Sequence, residues 1–130
     1  VDWECGEAPS LIGRLHQVKN REKIVKFPVW GNYRIRITVT DDVKKYMAEH
    51  KSFCEVCMDE EESDTSAITL HRLGESTIIF PAEADMGTIA HESYHAIRQM
   101  LVSRDAELDN EVVAYHLGYL VNKVFDLVWA

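Results

Sequence analysis

The strongest alternation of apolar and polar positions lies in residues 33–40, YRIRITVT. Tyr33, Ile35, Ile37 and Val39 fall on one face, and Arg34, Arg36, Thr38 and Thr40 on the other. That period of two predicts a half-buried β-strand. Two more apolar runs, Ala67–Arg72 and Ser76–Phe80, flank Gly74 and predict a hairpin that Pro81 brings to a stop. Elsewhere the period is helical. Val43, Tyr46, Met47 and His50 recur at helical spacing behind Asp41 and Asp42, which can cap a helix. Asp85 and Thr88 can each cap a helix running to about Val102. After a short break at Ser103–Asp105, the apolar positions from Ala106 to Val128 predict a long second helix. The first 28 residues carry less pattern. Ser10–Lys19 fits a short helix with Leu11, Leu15 and Val18 on one face, and Pro28 ends any helix there. Residues 54–66 read as an irregular acidic stretch.

Mixed strands followed by two consecutive helices predict an α+β fold. The chain has 130 residues, which suits one domain with a real core, and it shows no internal repeat. Hydrophobic residues make up 46% and charged residues 28%, an ordinary globular balance. The net charge of −8 disfavours phosphate-backbone partners, so no nucleic-acid role is expected. No apolar run reaches the ~20 residues that cross a bilayer, so no membrane role is expected either. Part of the acidity sits in one run, Asp59, Glu60, Glu61, Glu62 and Asp64. That run reads as a solvated loop or as a cation-binding or partner-docking segment. The three cysteines, Cys5, Cys54 and Cys57, are too few for a disulfide scaffold and suit a reducing, cytoplasmic location, with a removed secretory signal left open as the alternative. Cys54 and Cys57 form one Cys-x-x-Cys. It reads as ordinary thiols, as half a zinc site that His50 and Cys5 could complete, or as a redox pair.

The segment that carries chemistry is His91-Glu92-Ser93-Tyr94-His95. On a helix, residues four apart lie about 6 Å apart along the axis and on the same side, so both imidazoles can hold one metal ion. Glu92 flanks that side and can reach a metal-bound water without being a ligand. Zinc lowers the pKa of bound water to about 7, and a carboxylate there can take the proton as the water attacks a carbonyl. Chance placement would give this pattern in about 3% of chains of this composition, so context decides. The context agrees: the motif falls on a predicted helix, and Glu111 opens the next helix with fifteen residues between it and His95. Glu111 could complete a two-histidine, one-glutamate set with one position open. Its other reading is a solvent-facing acid in a first turn, where the helix dipole favours it.

The pair His91-Glu92-x-x-His95 and Asn110-Glu111 resembles the zincin superfamily, in particular its gluzincin branch. The thermolysin type continues Asn-Glu-x-x-Ser-Asp; here the stretch is Asn110-Glu111-Val112-Val113-Ala114-Tyr115, without Ser-Asp and with a tighter interval between the motifs. The chain is also similar to small zincin-like metallopeptidases, mostly phage-encoded, through Thr88-Ile89-Ala90-His91-Glu92 and Glu111-x-x-Ala114-Tyr115. The likeness covers roughly residues 33–121. It implies a zinc-dependent peptidase acting on a peptide or protein. It also implies a small mixed sheet of about three to four strands packed on an active-site helix and a long C-terminal helix. Ser76–Phe80 would be the edge strand above the zinc, where substrate pairs as an extra strand.

Other residues are weighed against that site. Tyr115 shares a helix face with Glu111 and is a candidate oxyanion donor or support for the histidines. Its other reading is a core tyrosine with a satisfied hydroxyl. His116 is turned further away. Tyr94 points off the metal side, His16, His50 and His71 read as structural or surface residues, and Gly118 reads as a site of close helix packing. Two other functions stay open: a non-catalytic zincin-like module that binds metal or a protein partner, and a small helical regulator in which the motif is accidental.

Overall fold

A computed structural model describes residues 20–49 and 67–130. Cys5, Cys54, Cys57, His16, His50, the acidic run and the expected helix at Ser10–Lys19 lie outside the described residues. Four strands, β1 (Arg21–Phe27), β2 (Tyr33–Thr40), β3 (Ile68–Arg72) and β4 (Glu75–Pro81), form one mixed sheet in the order β1-β2-β4-β3. Three α-helices accompany them: α1 (Val43–Glu49), α2 (Met86–Ser103) and α3 (Asn110–Val128). The α+β class and the mixed sheet agree with the pattern of the sequence. Among the described residues no helix is long and apolar enough to cross a membrane.

Strand β2 spans the residues that alternate. Tyr33, Ile35, Ile37 and Val39 are buried against α2 and α3 with Ile78, Phe80, Ile89, Ile97, Met100, Leu101, Leu120 and Val124. Each such side chain contributes ~1.5–3 kcal/mol on full burial. The opposite sheet face holds a smaller cluster in which Val43 and Tyr46 of α1 meet Leu70 and Ile79. That face is more buried than an open face would be, because Thr38 and Thr40 are also inaccessible. Glu75 is buried there too, and Arg34 (2.8 Å) and Arg36 (3.3 Å) pair with its carboxylate.

Strand β1 was not legible. It is itself a charged stretch, in which only Val25 and Phe27 are buried, while Glu22, Lys23, Ile24 and Lys26 are exposed. Charged residues of this kind suit a sheet edge, where they discourage pairing with other chains. The hairpin is as expected, with Leu73 and Gly74 turning between Arg72 and Glu75 and Gly74 at φ +76°. At the other hairpin, Pro28 opens a single 3-10 turn and Gly31 (φ +68°) closes it. A Cβ on Gly31 would lie 3.1 Å from Arg104 Nε. Arg104 donates to Trp30 O (2.8 Å) and covers the Tyr33 ring at 5.2 Å, so it locks the end of α2 to this turn.

Three expectations are corrected. Ser76–Phe80 is not an edge strand: β4 pairs with β2 on one side, parallel, and with β3 on the other, antiparallel. Among the described residues the edge beside α2 is β3. The second long helix begins at Asn110 rather than Ala106. Asp105 takes a left-handed conformation (φ +62°) and Ala106 N donates back to Leu101 O, so the chain must reorient before it can coil again. Gly118 is exposed, and nothing lies within 4 Å of a Cβ placed on it; it allows no close helix contact.

Two outcomes follow. Gly118→Ala should raise the unfolding free energy by about 0.5–1 kcal/mol, since it removes backbone freedom from an exposed helix interior without a clash. A urea titration checks it, and a lower midpoint would refute the open surroundings. Burial, and then the Glu22 carboxylate to which it donates at 3.0 Å, push the Tyr46 hydroxyl up to about 12. Unfolded tyrosine ionises near 10, so between those values the folded state holds a proton that the unfolded state has lost. Stability should therefore fall as pH rises from about 10 toward about 12. Tyr46→Phe should flatten that fall, leaving the part due to Tyr33, which burial also pushes up.

Candidate functional site

Helix α2 starts where its side chains allow. Asp85 precedes it in extended conformation, and its carboxylate accepts from Thr88 N at 2.8 Å, which satisfies one free amide of the first turn. That backbone hydrogen bond also holds the exposed Asp85 carboxyl below its ordinary value. Ile89, Ser93, Ala96, Ile97, Met100 and Leu101 turn toward the core. The helical period then leaves His91, Tyr94 and His95 exposed, with Glu92 at the boundary toward β3.

The two histidines meet: Nε2 of His95 lies 3.2 Å from Nε2 of His91, with the rings edge to face at 4.7 Å between centroids. Two nitrogens each ~2.0–2.1 Å from a tetrahedral zinc ion lie about 3.3–3.4 Å apart, so this spacing fits two ligands of one such ion. Glu92 divides its oxygens. Oε1 accepts from the Thr69 hydroxyl at 2.6 Å, and that hydroxyl also lies 3.2 Å from Glu92 O. Oε2 lies 3.9 Å from His91 Nε2. The Glu92 side chain is 13% exposed and that of His91 66% exposed, so the base candidate is sheltered and the metal candidates open to solvent.

Glu111 is placed differently. It occupies the first turn of α3 and is exposed. Among the described residues no three or more His, Cys, Asp or Glu side chains are arranged to hold a metal ion. The structure thus brings His91 and His95 together and does not bring Glu111 to them. Helix direction accounts for this. Arg104, just past the end of α2, bonds to Trp30, and the Trp30 indole in turn donates to His116 of α3. His95 lies eight residues before the end of α2, about 12 Å back along its axis, while Glu111 lies more than a turn before His116.

Tyr115 is 77% exposed on the same outer part of α3 and is not in the core. His116 has a structural role: its Nε2 accepts from Trp30 Nε1 at 2.8 Å and its Nδ1 donates to Val112 O at 2.7 Å. Tyr94 is 40% exposed and tilts against His95 at 6.2 Å between ring centres.

Two residues with no signal in the sequence stand at the site. Thr69 holds Glu92. His71, two residues further along β3, faces the same side, because alternate residues of a strand share a face. Helix α2 and β3 each run antiparallel to β4, hence parallel to each other. From Thr69 to His71 the strand advances about 6.6 Å, and from Glu92 to His95 the helix advances about 4.5 Å, so His71 stands level with His95. Burial, and then the nearby His95, hold the His71 imidazole below its ordinary value. Its Nδ1 lies 2.9 Å from Ser76 Oγ, which lies 2.6 Å from the Tyr33 hydroxyl. Only strand pairing could reveal this, since His71 and Ser76 are register partners across the hairpin.

No protein family, no curated protein and no solved structure was found to match this chain.

The Thr69 bond gives a measurable stability term. Thr69→Val keeps the β-branched shape but deprives the half-buried carboxylate of its donor, at a cost of about 1–2 kcal/mol. Glu92→Gln keeps an acceptor for the same hydroxyl and should cost clearly less. Chemical denaturation of the two variants checks the order; a Thr69→Val protein as stable as its parent would refute it.

Proposed function

We propose that this protein is a zinc-dependent peptidase in which His91 and His95 hold the metal and Glu92 is the general base. The observation that carries the reading is the 3.2 Å approach of the two imidazole nitrogens on the exposed side of a helix, with the Glu92 carboxylate beside them. The site would take zinc through neutral imidazoles, a donor type that suits this ion. When bound, the metal supplies a Lewis acid that polarises a carbonyl and makes water acidic.

The remaining work falls to the chain itself. Thr69 fixes Glu92 through Oε1, which leaves Oε2 to accept a proton from the attacking water and to return it to the leaving amine. Strand β3, at the sheet edge among the described residues, offers backbone groups along which an extended peptide can pair. That pairing would lay a substrate across the side of α2 that carries the histidines. The Thr69 bond also favours a second reading, in which Glu92 only ties α2 to β3 in a non-catalytic metal-binding or protein-interaction module.

Metal titration and peptide cleavage separate these readings. The parent should bind about one zinc per chain, and His91→Ala and His95→Ala should each abolish that binding. Glu92→Gln should keep the metal and lose hydrolysis by at least about a hundredfold. Glu111→Gln shows whether the first turn of α3 contributes: an unchanged zinc affinity leaves the two histidines as the protein ligands, and a loss adds Glu111 to them. Cleavage by Glu92→Gln at the parent rate would end the peptidase reading; the absence of zinc binding by the parent would end it too and leave only the protein-interaction form of the second.

A further inference from the structure

A buried chain of hydroxyls ends at the candidate site. The Tyr33 hydroxyl lies 2.6 Å from Ser76 Oγ, and Ser76 Oγ lies 2.9 Å from His71 Nδ1. Tyr33 and Ser76 are both fully buried, so each hydroxyl proton needs an acceptor within the chain. If His71 carried its proton on Nδ1 it would donate to Ser76. Either the Ser76 proton or the Tyr33 proton would then be stranded in the interior. One arrangement satisfies both: Tyr33 donates to Ser76, Ser76 donates to His71 Nδ1, and the imidazole proton sits on Nε2. Nε2 lies on the far side of the ring from Ser76. His71 stands level with His95, on the strand where a peptide would pair.

We infer that His71 is a further catalytic residue of this site: the Tyr33–Ser76 chain fixes it as the Nε2–H tautomer, and that N–H donates to the carbonyl oxygen of the bound peptide as the oxygen gains negative charge. This rests on the peptidase reading above. A donor held in place before the reaction needs no reorganisation when charge develops, which is what makes such groups effective. The role differs from that of a metal ligand. His71 binds through its N–H and leaves zinc with His91 and His95. The imidazole remains neutral throughout; it donates a hydrogen bond and transfers no proton. Tyr33 and Ser76 are positioning residues that act through His71, and Arg104 over the Tyr33 ring anchors the far end of the chain.

The tautomer is read first, by imidazole nitrogen NMR on isotope-labelled protein, with and without zinc. The His71 signals should show a protonated Nε2 and an unprotonated Nδ1, and Ser76→Ala should let the two tautomers mix. Kinetics then test the role. His71→Ala should lower kcat by about 10²–10³ with KM changed only a few-fold, and zinc stoichiometry should match the parent. His71→Gln, whose amide N–H can occupy the Nε2 position, should recover part of the rate. A proton found on Nδ1 overturns the inference. So does a His71→Ala protein that cleaves like its parent, or one that has lost zinc, which would make His71 a ligand instead. If the parent itself cleaves nothing, the peptidase reading fails before any His71 variant is made, and this role falls with it.

Discussion

Strand β4 has no exposed residue from Glu75 to Phe80, and much of the molecule follows from that burial. A strand covered on both faces must pair on both edges, because each unpaired backbone group left without water is costly. The parallel ladder with β2 and the antiparallel ladder with β3 meet that requirement. The parallel ladder has a consequence for the chain path. Since β2 and β4 run the same way, the connection between them crosses over, and α2 leaves the end of β4 and returns along the sheet. Ile78 and Phe80 form the floor on which Ile89, Ala96 and Ile97 settle. The rotational setting of α2, and so the outward placement of His91 and His95, is decided by that floor.

The site arises where this helix meets the hairpin. Strand β3 contributes two side chains at alternate positions, and the helix contributes three from one turn. Thr69 restrains the carboxylate of Glu92, while the histidines stay open to solvent and to each other. The arrangement is asymmetric in polarity. On the strand side, hydroxyls run inward from His71 through Ser76 to Tyr33; on the helix side, the imidazoles run outward. A peptide paired along β3 would lie between the two. The fold therefore sets a preorganised polar wall beside an exposed pair of imidazoles, the division of labour that the proposed hydrolytic site requires.

Much of the local structure was legible because it depends on neighbours in sequence. The alternation in residues 33–40, the turn at Gly74, the cap at Asp85 and the four-residue interval between His91 and His95 all report short-range geometry. Strand β1 was illegible because Arg21, Glu22, Lys23 and Lys26 blur its period, and its place depends on pairing with β2. The start of α3 was misjudged because Ala106, Glu107 and Leu108 are good helix formers, and the interruption comes from the left-handed turn at Asp105 and the return to Leu101. Gly118 looked like a contact point for want of any sign that its side of α3 faces water. Tyr115, four residues after Glu111, shares that glutamate's face, yet nothing local could say where this part of α3 lies relative to the histidines.

From its residues alone this chain specified an α+β fold and a helix that presents two imidazoles and a carboxylate together, since periodicity and the pitch of a helix operate over a few residues. Which strand forms the edge, where Glu111 lies, and the placing of His71 level with His95 were settled only in three dimensions. Those features depend on the register between β3 and β4 and on the antiparallel run of α2 and α3, relations between segments far apart in the chain that no local pattern encodes.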